Sequence, residues 1–378
     1  VAYLWATGVT AFNEPGIFWG VEPWDLYLEI LGAEDVPILS TFMVDGRTQS
    51  ARGIVGEAAL ADAREQVARA PEGKVRMLDG HVKLFADGAI ISQLMQMRDP
   101  YLDADGRPDP HHHGEWLMTP DEYRAMFETY WAAGWQIHTH VNGDLGLDLV
   151  LDTLEGCMAA APRADHRSVV VHFANSQEDQ VDRIARLGAI VSANPYYTVG
   201  FADKYAAFGL GPERADAMVR SRSVLDRGVP LSFHSDLPMG PAAPLQLASF
   251  AVNRRTVGGR VAGPEQRIAV HDALRAVTIG AAHSWRMETE LGSIEPGKWA
   301  TFTVLAEDPY EVDPTRLGDV PVVGAVFEGR WAPVPSAAGA VTAFGARLVG
   351  LPGHGGGAGD GHDHGDGSAC SCTAARAL

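Results

Sequence analysis

The sequence predicts an α/β protein: a (β/α)8 TIM-type barrel lacking its first strand, followed by a small C-terminal β domain. Three observations lead there. Seven short apolar, β-branched runs alternate with amphipathic stretches, the pattern of a parallel sheet crossed over by helices. Residues that carry chemistry close several of these runs, about one or two βα units apart. No glycine-rich phosphate loop follows any run, which disfavours a doubly wound dinucleotide fold.

The strand runs are Val9–Phe12, Ile38–Val44, His81–Phe85, Trp135–His138, Ser168–His172, Ala189–Ala193 and Val229–Phe233. Helix-like segments between them include Pro120–Ala133, Asp144–Leu154, Ser176–Leu187 and Pro212–Arg227. Thr119-Pro120-Asp121-Glu122 reads as an N-cap, a first-turn proline and acidic residues at the positive dipole end. His140 and His172 lie 32 residues apart, about one βα unit, and Asp236 lies 64 further on, about two. Lys83 and His140 are 57 apart. The surplus is Ala89–Glu115, a loop expected to cover the active face. Beyond Ala282 the texture changes. Leu291–Lys298 is a turn-rich link, and Thr301–Leu305 and Val322–Phe327 read as strands, with a turn at Glu328-Gly329-Arg330. The resulting partition is 1–288 for the barrel (strands two to eight), 289–348 for a small β-sandwich portion, and 349–378 for a disordered His/Gly/Asp-rich tail.

A formal net charge of -18 argues against nucleic acid or an anionic membrane surface as partner and leaves a small-molecule substrate. Three cysteines, two of them in the tail, give no disulfide framework, so a reducing, cytoplasmic location is expected. Neither a signal-like opening nor a run of about 18 apolar residues appears.

Lys83, His140, His172 and Asp236 are the candidate site residues. Each closes a strand run or follows one, which on a barrel means the C-terminal face where catalysis is built. A lone histidine in such a place also reads as a hydrogen-bonded core residue. Two on adjacent strand ends, with an aspartate two units on, suit a divalent cation with an open position for water. Lys83 sits inside an apolar strand. As a cation there it is costly, so its pKa should fall, and a neutral amine can add carbon dioxide to become an anionic carbamate. The alternative is a lysine that snorkels or pairs with Asp87.

Lys83–Gly88, His140–Asp144, His172, Ser235-Asp236 and Gly292–Lys298 together resemble the amidohydrolase superfamily, most closely its YtcJ-like branch (amidohydrolase family 3, which includes N-substituted formamide deformylase). The resemblance covers most of Gly8–Trp331. It implies a metal-dependent hydrolase of carbon–nitrogen bonds other than peptide bonds, acting on amide or N-formyl substrates. It further implies one or two divalent ions, zinc first among them, and a carboxylated Lys83. His140 and His172 would hold the second metal, and Asp236 would bind the first and serve as general base.

Departures set further expectations. The family's opening His-x-His strand does not precede Gly8-Val9-Thr10, so the sequence reads as N-terminally truncated. His138-Thr139-His140 falls on strand five, with His138 one layer deeper as a core residue. His234 stands where the family usually has glycine and would narrow the pocket. Loops Ala89–Glu115 and Tyr196–Pro212 are expected to set specificity, with Asn194 or Tyr196 lining the pocket. His111, His112 and His113 read as a solvated loop or a substrate contact. Unpaired strand edges favour aggregation or a homo-oligomer. Two other functions stay open: a catalytically impaired, assembly-dependent fragment, or metal storage and delivery through His354, His362, His364, Cys370 and Cys372.

Overall fold

The structure, a computed structural model, describes residues 1–17 and 24–334. The tail from 349 to 378, with its histidines and cysteines, lies outside the described residues, as does the end of the expected small β portion. Seven parallel strands form one curled sheet in chain order: β1 (Ala11–Ile17), β2 (Leu39–Asp45), β3 (Val75–Phe85), β4 (Gln136–Val141), β5 (Val169–His172), β6 (Ile190–Ala193) and β7 (Leu231–Phe233). Among the described residues no pairing joins β7 to β1, so the sheet stays open along one seam. This is the barrel short of one strand that the alternation predicts.

Every residue of β2 is buried, because helices cover the sheet outside and side chains fill it inside. The helix Pro120–Ala132 begins with a capping box. Thr119 Oγ1 accepts from Glu122 N, and Glu122 Oε2 accepts from Thr119 N. Its buried face is Tyr123, Met126, Phe127, Tyr130 and Trp131. Asp144–Ala160 and Glu178–Leu187 follow, the latter ended by Gly188 at φ 74°, a left-handed position that suits glycine.

Two expected segments differ. Pro212–Arg227 is two short helices, Pro212–Asp216 and Ser221–Asp226, with Val219 at φ 51° between them. Tyr196–Pro212, expected as a loop, opens with the helix Tyr196–Ala207. Its Tyr, Thr, Val and Gly residues are indifferent helix formers. Burial of Tyr196, Tyr197, Val199 and Ala202 holds it instead. Among the described residues no helix is long and apolar enough to cross a membrane.

The smaller sheet is antiparallel: β8 (Phe302–Leu305), β9 (Val322–Phe327) and β10 (Arg330–Pro333), with β9 central. Phe327 pairs with Arg330, so Glu328-Gly329 forms a two-residue turn with φ values of 49° and 79°, as a type I′ hairpin requires. Leu39, Met43, Leu78, Ala282, Met287, Leu291 and Phe327 form the apolar cluster that joins this sheet to the barrel. Thr303 Oγ1 donates to Gly8 O at 2.7 Å across the same boundary.

The long segment after β3 folds back on the strand ends. Buried Asp87 accepts from the backbone N–H groups of Gln96 (2.9 Å), Asn142 (2.8 Å) and Gly143 (2.7 Å). The closure is tight: a Cβ on Gly143 would collide with the Gln96 backbone. Gly143→Ala should therefore lower stability by about 2–3 kcal/mol, since backbone cannot swing aside as a side chain can. Urea unfolding checks this, and a wild-type midpoint would refute the packing.

Candidate functional site

Parallel register sets the site. Lys83 on β3 is flanked by Asp45 of β2 and His138 of β4. Phe85 stands beside His140, His140 beside Val171, and His172 between Val141 and Ala193. Alternation carries Lys83 and Phe85, and likewise His138 and His140, to the interior face. At β5 it puts Val171 inward, which would send His172 outward. Yet both border the interior cavity. His172 has φ 79° and Phe173 φ 53°, so the left-handed backbone at the strand end redirects the imidazole. Asp236, in the turn after β7, has φ 54°. Such conformations cost a non-glycine residue about 1–2 kcal/mol each and collect where side chains must be aimed.

The cavity measures about 510 Å³ and is bordered by residues of both edge strands, β1 and β7. All four expected residues, Lys83, His140, His172 and Asp236, border it, together with His138 and His234. Phe12, Phe85, Leu237 and Trp285 give it apolar walls, and Glu14 adds a second carboxylate. The rings of His140 and His172 meet edge-on with centroids 4.3 Å apart. Asn142 Nδ2 donates to His140 Nε2 at 3.0 Å. His172 Nδ1 faces His234 Nε2 at 2.9 Å, the Tyr197 hydroxyl at 3.1 Å and Asp236 Oδ2 at 3.9 Å. Ser192 Oγ lies 3.1 Å from His234 Nδ1.

Lys83 is 2% exposed and its Nζ makes no hydrogen bond among the described residues; its near neighbour is the Phe85 ring, 5.5 Å away. It does not pair with Asp87, whose oxygens are taken by backbone N–H groups. Burial pulls the Lys83 amine down to about 8, against the opposing pull of Asp236, Glu14 and Asp45. Burial also holds His140 and His234 down at about 3 and His172 well below the usual imidazole range. All three rings are thus neutral at pH 7, the form that ligates metals. Burial pushes the Asp236 carboxyl up, although its side chain keeps 44% exposure at the cavity.

The donor chemistry fits a divalent cation: neutral imidazoles, a carboxylate, an amine without a hydrogen-bond partner, and the orphaned buried Nε2 of His138. In the present arrangement His140 and His172 direct nitrogens at Asn142, His234 and Tyr197. No three described His, Cys, Asp or Glu side chains are already grouped for a metal.

Several expectations are corrected. Neither Ala89–Glu115 nor Tyr196–Pro212 contributes a residue to the cavity lining, and neither Asn194 nor Tyr196 lines it. Asn194 instead braces the turn that carries Asp236, donating to Ser235 O at 3.0 Å. Of the three loop histidines, His111 is exposed as expected, while half-buried His112 and His113 bond Gln93 O and Met97 O and pin the loop internally. Reading along the sequence overlooked Glu14, Ser192, Tyr197 and Trp285. No spacing marks them, since each reaches the site from a different element.

A model of the amidohydrolase family matches residues 1–332. The chain belongs to the amidohydrolase family. It is 30% identical over 234 residues to the protein LONG AFTER FAR-RED 3 of Arabidopsis thaliana, covering 61% of this chain and 39% of that one. It is 28% identical over 250 residues to the N-substituted formamide deformylase of Arthrobacter pascens, covering 66% of this chain and 45% of that one. The chain thus spans under half the length of these relatives. An uncharacterized metal-dependent hydrolase from Pyrococcus horikoshii shares the fold with a TM-score of 0.62 at 24% identity, over 80% of this chain and 57% of that one. A mutant of atrazine chlorohydrolase TrzN from Arthrobacter aurescens, complexed with zinc and atraton, does so at 0.54 and 17%, over 91% and 74%.

Lys83 also supplies a stability test. Its amine loses protons more easily folded than unfolded, so between about 8 and 10.5 stability rises with pH. Below that window the buried cation is a liability. Lys83→Met should stabilise the metal-free chain at pH 7 by up to about 3 kcal/mol, with the gain shrinking as pH climbs from 8 towards 10.5. Chemical denaturation across that range measures it; a pH-independent difference would exclude a titrating Lys83.

Proposed function

We propose that this chain carries the active site of a metal-dependent hydrolase acting on carbon–nitrogen bonds outside peptides, with amide or N-formyl compounds as substrates. One observation carries the reading: Lys83, His140 and His172, on three successive strands, and Asp236, in the turn after β7, border a single cavity. Family membership and the zinc-bound structural neighbour support it.

Lys83, His140, His172 and Asp236 would hold a divalent cation, with zinc the first choice for imidazole and carboxylate donors. When bound, such an ion supplies an acidified water and a Lewis acid toward a carbonyl oxygen. The protein's own groups do the rest. The neutral fraction of the Lys83 amine adds carbon dioxide, releases a proton and becomes a carbamate, which turns a mismatched cation into an anionic donor. Asp236 takes a proton from the attacking water and returns it to the leaving nitrogen, a role its raised carboxyl pKa favours. Phe12, Phe85, Leu237 and Trp285 hold the apolar part of the substrate.

The test is a panel of N-formyl and N-acyl amines with the zinc-reconstituted chain in bicarbonate buffer. Asp236→Asn and Lys83→Ala should each lower kcat/KM by about 100-fold or more, and chelation should abolish turnover until zinc is restored. Turnover indifferent to chelator, or an Asp236→Asn variant as active as wild type, would end this reading.

One observation favours a second, assembly-dependent reading: the open seam between β1 and β7 runs beside the cavity. Association of copies would cover these edges. Specific activity rising with protein concentration, alongside a larger particle in light scattering, is then expected; a monomer with concentration-independent activity refutes it.

A further inference from the structure

We propose that His234 is a positioning residue for His172: with Ser192 behind it, it fixes the His172 tautomer whose Nε2 is left free to bind a cation. This rests on reading His172 as a cation donor.

A neutral imidazole has one N–H and one lone pair. Ser192 Oγ, His234 and His172 form a chain through contacts of 3.1 and 2.9 Å. Two proton placements satisfy it. In the first, His234 Nδ1–H donates to Ser192 and His172 Nδ1–H donates to His234 Nε2. The lone pair of His172 is then on Nε2. In the second, every bond runs the other way, His172 carries its proton on Nε2, and that nitrogen cannot ligate.

The surroundings select the first. The Tyr197 hydroxyl lies 3.1 Å from His172 Nδ1, within hydrogen-bond reach. A hydroxyl oxygen there can accept a proton carried on that nitrogen. Asp236 Oδ2, 3.9 Å from the same Nδ1, adds a negative charge that favours N–H over a lone pair. A ring nitrogen, a hydroxyl and a carboxylate oxygen thus surround His172 Nδ1, and the carboxylate decides between the two placements. Partners of this kind behind a ligating imidazole fix its orientation and tautomer and raise its basicity.

The experiment combines 15N NMR of the histidine rings with zinc titration against a competing chelator, on the full chain. Wild type should show His172 protonated on Nδ1. His234→Leu should populate the Nε2–H form and weaken zinc binding by about 10–100-fold. His234→Gln, whose side-chain oxygen accepts a hydrogen bond, should restore most of both. Ser192→Ala, which removes the far acceptor, serves where the leucine variant does not fold and should shift the tautomer the same way. Wild-type tautomer and zinc affinity in His234→Leu, or a glutamine variant no better than leucine, would overturn the proposal. If His172→Ala binds zinc as wild type does, the cation reading falls, and the tautomer measurement still decides the role of His234.

Discussion

The site depends on the parallel pairing of β3 through β7. Lys83, His138, His140, Val171, His172 and Ala193 are tied in sequence by one continuous register. A slip of one residue at β3 or β4 would turn Lys83, or His138 and His140, from the interior to the helix-covered face. Helices fix that register from outside, because β2 and its neighbours present apolar residues to them at alternate positions. The chemistry inside is held by the packing outside.

Placing polar groups in that interior has electrostatic consequences. Burial removes charge from the imidazoles and draws the lysine toward neutrality, while the Asp236 carboxyl is pushed the other way. One cause thus produces neutral nitrogen donors, a nucleophilic amine and a carboxyl better able to carry a proton. The backbone shares in this. Left-handed conformations at His172 and Asp236 aim side chains that strand alternation and an ordinary turn would send elsewhere. Asp87 contributes at a distance, since one of its three backbone hydrogen bonds holds Asn142, which bonds His140.

The cavity is shaped by the seam. Its lining joins β1, the turn after β7 and Trp285, just beyond the helix Ile279–Ser284, to the histidines and Lys83 of the central strands. The long segment after β3 packs on the strand ends and on the helices that follow them, where Arg98 is paired with Asp148 and Asp179. It reinforces the frame and does not form the slot.

From sequence alone came the alternation of strands and helices, the small β domain, and the four residues whose type and spacing suit a cation site. These are local patterns: hydrophobic period, capping residues such as Thr119, a lysine inside an apolar run. Lys83 and His140 were legible because they lie within regular strands, where alternation dictates direction. His172 was legible in identity but not in orientation, since a φ of 79° is set by what surrounds the strand end. Tyr197, Ser192, Glu14 and the bond from His234 to His172 were not legible. Their meaning lies in proximity between residues tens of positions apart: only the folded register brings Glu14 to the cavity and sets Ser192, His234, His172 and Tyr197 within about 3 Å of one another in turn, the reach of a hydrogen bond.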